Sequence, residues 1–324
     1  MRGRNEIMRE RKVVIIGTGA VGSTFAYTLM QSGLAREIVL IDADRERAEG
    51  EAMDLNHGLF FAPPVDIRAG DYGECAEAAL IVITAGAKQK PGESRLDLVQ
   101  RNVAICREIM GEITSRNKES VIVMVTNPVD VLTYVAQELS DYPPGRIIGS
   151  GTVLDSARFR YLLSTHCRVD PRNVHAYVIG EHGDSEVACW SMTHIAGVSM
   201  RAFCQEACGR NCSDSERDAL FEQVRGSAYH VIESKGATYY GVSMALERIA
   251  GAILRDENSV LTVSVRVESR RGLPEVCLSL PAVVNARGVD RIVDVALSDN
   301  EQEALHRSAN ILKDVISKID LEAG

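Results

Sequence analysis

Apolar positions in the first half of the chain fall into short unbroken runs separated by stretches of helical period. Val13-Val14-Ile15-Ile16 is β-branched throughout and ends at Gly17, and Ile38-Val39-Leu40-Ile41, Leu80-Ile81-Val82-Ile83 and Val121-Ile122-Val123-Met124-Val125 repeat the pattern. Runs without polar alternation fit strands covered on both faces, as in a parallel sheet. Between the first two runs, Val21, Phe25 and Leu29 recur every four residues before Ser32-Gly33, a helix stop. Strand, helix, strand at this spacing is a βαβ unit, and several in succession predict a parallel sheet with right-handed crossovers.

The second half reads differently. Ser213 to Glu216 and Ser298 to Glu301 both read S-x-x-E, the capping-box signature of a helix start. The last helix then carries Leu305, Ala309, Leu312, Ile316 and Ile319 on one stripe, and Leu261 to Val265 and Val276 to Leu280 look like strands. Helices and strands are more segregated here, which predicts a mixed α+β unit beginning near Gly149-Ser150-Gly151. The expected division is residues 1–149, with 1–11 a frayed arm, and residues 150–324.

Composition narrows the class. The chain has 324 residues, 45% of them apolar and 25% charged, which is ordinary globular composition for about two domains. No apolar run approaches the length of a membrane span, and the charged amino terminus carries no secretory signal. Against 45 acidic residues stand 36 basic ones, for a formal charge of −9, so the overall field repels nucleic acid and anionic lipid. Eight cysteines with no C-x-x-C pair fit the reduced thiols of the cytoplasm, the expected location.

Gly17-Thr18-Gly19-Ala20-Val21-Gly22 is G-x-G-x-x-G. Such a triplet is weak alone, but here it follows the first strand and opens the first helix. The glycines allow the tight turn, close approach of backbone to a pyrophosphate, and close helix–strand packing. Free N–H groups and the positive dipole end of the helix favour phosphate there. Asp42 ends the second strand, 20 residues past Gly22, where a carboxylate takes the adenine ribose hydroxyls and repels the extra phosphate of NADP. The expectation is NAD on a Rossmann-type doubly wound parallel sheet, with the α+β unit as the substrate and catalytic domain.

Two segments are unusually polar. Gly180-Glu181-His182-Gly183-Asp184 brackets a histidine with glycines after a strand-like run, and histidine is the natural acid/base near neutral pH. In Leu154 to Arg160, Asp155 and Arg158 lie three apart and share a helix face. An aspartate can hold an imidazole in one tautomer, and an arginine fork can bind a carboxylate bidentately. Read as residues alone, His182 could be structural, and Asp155 with Arg158 an N-cap and a surface pair. A third segment, Gly86 to Arg95, carries three cations and follows the third strand, so it reads as a mobile loop at the carboxyl edge of the sheet, where ligands bind.

Taken together, Ala85-Gly86 through Arg95-Leu96, Thr126-Asn127-Pro128-Val129-Asp130, Gly149 to Arg160 and Gly180 to Asp184 resemble the NAD-dependent L-lactate dehydrogenases of bacterial type, in the superfamily shared with malate dehydrogenases. The resemblance implies that His182 exchanges the hydroxyl proton, that Asp155 stabilises the imidazolium, and that Arg158 anchors the substrate carboxylate. It implies that Arg95 polarises the carbonyl on closure, that Asn127 reaches substrate and nicotinamide, and that Thr238 lies in the pocket. Thr84, Ala85, Gly86, Thr126 and Asn127 would line the cofactor with the glycine loop. Gln89 stands where malate-using relatives place an arginine, so a second carboxylate would be buried unpaired, which favours pyruvate and L-lactate. Lys88 and Lys90 flank it and could supply a rescuing charge.

The same resemblance assigns Arg160 and His175 to fructose 1,6-bisphosphate across a subunit interface, and implies a homotetramer or dimer. A malate or broader 2-hydroxyacid dehydrogenase and a non-catalytic NAD-binding protein are the competing classes. Cys204, Cys208 and Cys212, with His194 upstream, invite a metal. Their spacing matches no standard zinc pattern and Gly209 interrupts a continuous helix, so the expectation is no metal site.

Overall fold

A computed structural model describes residues 11–88, 92, 94–209, 212–268 and 272–321, the Arg95 side chain excepted. The expected βαβ series is present: β1 (Lys12–Ile16), α1 (Ala20–Ser32), β2 (Glu37–Ile41), α2 (Arg45–His57), β3 (Asp66–Ala69), β4 (Leu80–Ile83), α3 (Arg95–Thr114), β5 (Val121–Met124), α4 (Val129–Glu138) and β6 (Ile147–Gly149). Every residue of β1, β4 and β5 is buried, which is why their sequences show no polar alternation. Each such Val or Ile contributes about 1.5–3 kcal/mol of burial free energy. Helix α1 stops at Gly33, whose φ of 64° is the left-handed cap expected of glycine.

Past Gly149 the chain continues through α5 (Val153–Cys167), the short strands β7 (Val174–His175), β8 (Val178–Ile179), β9 (Val187–Ala188), β10 (His194–Ile195) and β11 (Val198–Ser199), and α6 (Met200–Phe203). Then come α7 (Asp214–Lys235), α8 (Tyr240–Leu254), β12 (Ser259–Val267), β13 (Val276–Asn285), β14 (Gly288–Ile292) and α9 (Asp299–Ile316). Both S-x-x-E segments form complete capping boxes, at Ser213 and Ser298, and a third is formed at Ser94 with Asp97. On α9, Leu305, Ala309 and Leu312 are buried as the stripe predicts. Ile319 falls beyond the helix end.

The main sheet has nine strands in the order β14-β13-β12-β6-β5-β4-β1-β2-β3. Strands β3 through β6 pair in parallel, whereas β12 joins the β6 edge antiparallel through Ser264 and Gly149, followed by β13 and β14. The sheet therefore runs on from the first half into the second, and one apolar core includes residues of both, from Val13 to Leu312. A smaller core lies beneath α5 and α7, around Phe159, Leu163, Phe221 and Val224. The strand-like run that precedes the His182 segment, Val174 to Ile179, divides into β7 and β8, which belong to separate small sheets. Among the described residues no helix is long and apolar enough to cross a membrane.

Candidate active site

The sheet order reverses direction at β1, between β2 and β4, and ligands bind at the carboxyl ends of strands at such a point. A cleft of about 720 Å³ opens there, lined by Gly17, Gly19, Ala20, Val21, Gly22, Asp42, Thr84, Ala85 and Gly86, with Arg47, Tyr72 and Glu108 among the residues that sequence reasoning missed. Ala237, just after α7, closes it from the second half. The loop has the shape a dinucleotide requires. Gly17 has φ 100°, and a Cβ on Gly22 would sit 1.9 Å from the Gly17 carbonyl oxygen. A Cβ on Gly19 would meet nothing within 4 Å, so that position opens onto the cleft.

Asp42 is oriented by its own turn. Its carboxylate accepts from Thr18 N at 2.6 Å, Thr18 Oγ1 at 2.9 Å and Asp44 N at 3.0 Å. Partial burial alone would raise its pKa, but these hydrogen bonds hold it below the usual carboxylate value. The remaining loops are tied to one another: Thr84 Oγ1 donates to Gly17 O at 2.7 Å, and Thr126 Oγ1 to Ala85 O at 2.7 Å. Asn102, buried on α3, accepts from Ala87 N at 2.8 Å and donates to Asn127 O at 3.0 Å. Thr126 is half-buried and Asn127 exposed where the chain leaves β5, both tied to the loop after β4 through these bonds. The Asn127–Pro128 peptide is cis.

Helix α5 and β8 bring the polar pair together. Thr152 Oγ1 donates to Val178 O at 2.5 Å and Val178 N donates to Ser156 Oγ at 2.9 Å, fastening the first turn of α5 against the strand that precedes His182. Asp155 lies in that first turn, where the helix dipole favours a carboxylate. Its Oδ2 is 2.6 Å from His182 Nδ1, and its Oδ1 accepts from Arg158 Nη1 at 2.7 Å. The His182 loop is fixed from three further directions. His182 N donates to Asp130 Oδ2 at 2.7 Å, Glu181 N donates to Ser308 Oγ at 2.8 Å, and Gly180 exchanges backbone hydrogen bonds with Ser279.

Burial alone would lower the His182 pKa, but the adjoining Asp155 carboxylate, helped by Asp130 and Glu186, raises it to about 9. Asp155 is itself lowered: its burial opposes ionisation, and the charges of His182 and Arg158 outweigh that cost. Glu186, which sequence reasoning missed, is buried nearby, and desolvation followed by repulsion from Asp155 lifts it to about 8. The imidazolium–carboxylate pair at neutral pH is a proton donor whose Nδ1 is committed to Asp155, leaving Nε2 to exchange with a ligand.

Of the other expected site residues, Gln89 and Lys90 lie outside the described residues, and Arg95 opens α3 with its side chain likewise outside them. Thr238 is half-buried in the connection between α7 and α8, next to Ala237 of the cleft wall. Arg160 and His175 line a second cavity of about 470 Å³ together with Tyr177 and Arg248. Arg160 is held there by Ala176 O at 2.9 Å and lies over the Tyr177 ring.

A glycine cradle shaped for a dinucleotide, an acid for its ribose and a protonated histidine–aspartate pair define an NAD-dependent oxidoreductase of Rossmann type. Two family models agree with that class: the NAD-binding domain of lactate/malate dehydrogenase matches residues 11–149, and the alpha/beta C-terminal domain of lactate/malate dehydrogenase matches residues 152–322. The chain belongs to the lactate/malate dehydrogenase family. It is 52% identical over 312 residues to the L-lactate dehydrogenase of Acetivibrio thermocellus, covering 96% of this chain and 98% of the relative. The L-lactate dehydrogenase of Priestia megaterium is 52% identical over 305 residues, covering 94% and 95%. Among solved structures, the minor L-lactate dehydrogenase of Enterococcus mundtii superposes with a TM-score of 0.93 at 41% identity, over 97% of this chain and 100% of that one. A lactate dehydrogenase from a Medee basin deep-sea metagenome gives 0.92 at 44% identity, over 95% and 98%.

Proposed function

We propose that the protein interconverts L-lactate and pyruvate with NAD, His182 acting as the proton donor and acceptor. The observation that carries this is the 2.6 Å contact of His182 with Asp155, which keeps the imidazole protonated near neutral pH and ready to protonate a ketone oxygen. Bound nicotinamide supplies the hydride in one direction and accepts it in the other. Arg158, one turn along α5, takes the substrate carboxylate through its free guanidinium nitrogens while Nη1 remains on Asp155. Arg95 adds a cation over the reacting oxygen when the loop closes. Asp155 favours the imidazolium and keeps the Nδ1 proton engaged in either charge state, so that the proton leaves or returns at Nε2 alone.

Pyruvate rather than oxaloacetate follows from Gln89, a neutral amide that leaves a second carboxylate unpaired, at a cost of a few kcal/mol or more. Two relatives 52% identical to this chain carry the name L-lactate dehydrogenase, which supports the same choice. We also propose a homotetramer in the cytoplasm, activated when fructose 1,6-bisphosphate meets Arg160 and His175. The common cavity of those two residues supports that reading.

The test is NADH oxidation at saturating cofactor with pyruvate and oxaloacetate side by side, each with and without fructose 1,6-bisphosphate. Strong preference for pyruvate is expected, with a lower KM for it when the bisphosphate is present. Preference for oxaloacetate would overturn the Gln89 argument, and a pyruvate titration unmoved by millimolar bisphosphate would remove the effector site.

A further inference from the structure

Away from the cleft and the His182–Asp155 pair, the second half holds a cluster of thiols that the chemistry above does not use. Cys167 at the end of α5 and Cys204 and Cys208 after α6 place their sulfurs within 4.8 Å of one another. The Cys167 and Cys204 sulfurs are 3.8 Å apart, and Cys208 Sγ is 3.5 Å from the Cys204 carbonyl oxygen. Cys212 is buried beside them and within electrostatic reach of both Cys167 and Cys204. Sequence spacing alone linked Cys204, Cys208 and Cys212 to His194. The fold instead brings in Cys167, 37 residues from Cys204, while His194 Nδ1 is engaged with Met192 O at 2.9 Å.

Buried cysteines often pack simply as small apolar side chains. Two features here go further. Cys204–Cys208 is a turn of π-helix ended by Gly209 in the left-handed region, and such turns are rare and concentrate at functional sites. The sulfur separations also match an ion. Tetrahedral zinc with Zn–S bonds of about 2.3 Å spaces its sulfurs about 3.8 Å apart, the separation already held by Cys167 and Cys204. The separations to Cys208 need at most about 1 Å of closure to reach that spacing, whereas the Cys212 sulfur, outside this group of three, would have to turn in to complete the tetrahedron. Cys208 is only partly buried and gives the cluster an opening to solvent. Arg217 Nε holds the Cys212 carbonyl at 3.3 Å, anchoring the fourth sulfur at the start of α7.

We propose that Cys167, Cys204, Cys208 and Cys212 bind one soft d10 cation of the zinc class, in a closed structural site distinct from the active site. Thiolate donors select such ions over magnesium or calcium. Each thiol that ligates gives its proton to bulk water as the sulfur–metal bond forms, and no electron is transferred. The ion would pin the π-turn and the segment before α7 to the end of α5, over the smaller core.

Cobalt(II) added to the reduced, metal-free, full-length protein tests this directly. One cobalt per chain is expected, with a near-ultraviolet thiolate-to-cobalt charge-transfer band and the visible bands of a tetrahedral ion, all displaced by zinc. Cys204→Ser should abolish the band, and Cys208→Ser, at the partly exposed position, should weaken zinc binding by at least about tenfold. Cys106→Ser, far from the cluster, should leave it unchanged. Circular dichroism of Cys208→Ser checks that the variant is folded. No charge-transfer band in wild-type protein whose thiols all titrate after denaturation would overturn the proposal. So would a band that survives both Cys204→Ser and Cys208→Ser, or a cluster that closes as a Cys167–Cys204 disulfide and, once reduced, takes up no metal.

Discussion

Asp155→Asn isolates what the carboxylate does to the histidine. The substitution keeps the size but removes the charge 2.6 Å from His182 Nδ1 and exchanges one of two acceptor oxygens for a donor NH2. With the carboxylate in place the imidazole is raised from 6.5 to about 9, so that at pH 7 about 99% of it is protonated. That displacement is worth about 3 kcal/mol in favour of the imidazolium, at roughly 1.4 kcal/mol per pH unit. Without it, only the smaller influences of Asp130 and Glu186 oppose burial, and the pKa should fall toward its ordinary value or below. Pyruvate reduction at pH 7 and saturating NADH should then drop by roughly 10²-fold in kcat, because both the protonated fraction and the stabilisation of the pair are lost. The alkaline limb of the pH profile should move from about 9 to about 6.5 or lower. A variant that is slow but keeps its limb near pH 9 would refute the reasoning, since Asp155 would then not set the acid strength of His182. Asp155 also orients Arg158 through Nη1, so the substitution alters KM as well, which is why kcat at saturating pyruvate is the informative quantity.

The glycine loop gives a contrast between two alanines: Gly22→Ala should fail to fold or lose NADH binding, because its Cβ would lie 1.9 Å from Gly17 O, whereas Gly19→Ala should fold normally and bind NADH more weakly by fluorescence titration. Equal behaviour of the two would contradict the cradle. Asp42→Ser should raise activity with NADPH relative to NADH, and an unchanged ratio would mean that Asp42 does not face the ribose. His182 also predicts a stability profile: a pKa raised on folding contributes stability that is fully present below about 6.5 and is lost as pH rises through about 9. The unfolding midpoint of His182→Gln should therefore fall less than that of wild type over that interval, and parallel curves would argue against the shift. Ser308→Ala removes the acceptor for Glu181 N and should lower kcat several-fold, with a hydrogen bond of about 1 kcal/mol at stake, while leaving the alkaline limb near pH 9. A displaced limb would show that Ser308 tunes the acid rather than placing it.

The parts of this molecule that were legible in sequence are those whose physics is local. Val13 to Ile16 reads as a buried strand because both faces are covered, and the Gly17–Gly22 loop with Asp42 reads as a nucleotide cradle because every element lies within one βαβ unit. Asp155 and Arg158 could be paired from helical spacing. The chemistry of His182 could not be read this way, because its partners come from Asp130, Asp155, Ser279 and Ser308, up to 127 residues away. Asn102 escaped notice for the same reason: an asparagine in the middle of a helix carries no signal until the loops after β4 and β5 are seen to converge on it. The thiol cluster is the sharpest case. Counting along the chain selected three cysteines four apart, and the fold supplied Cys167 from another helix.

The long-range contacts divide the work around His182. Asp130, from the first half of the chain, and Ser279 and Ser308, from the second, hold backbone groups of the loop, and Ser308 also the Ser185 hydroxyl, so they fix where the imidazole sits. Asp155 reaches the ring itself and is the largest influence raising its pKa, with Asp130 and Glu186 adding to it. A buried N–H that loses its acceptor costs about 1–3 kcal/mol, so each backbone tie resists movement of the loop, and because Asp130 lies in the first turn of α4, just past β5, the ties link the histidine to the sheet that carries the glycine loop. Position is thus set by contacts distributed over both halves and acid strength chiefly by one carboxylate on α5. The same division explains why the antiparallel strands β12 to β14 continue the cofactor-binding sheet instead of forming a separate one: Ser279 lies on β13, and an independent sheet could not hold Gly180 in fixed relation to the ends of β1 and β4.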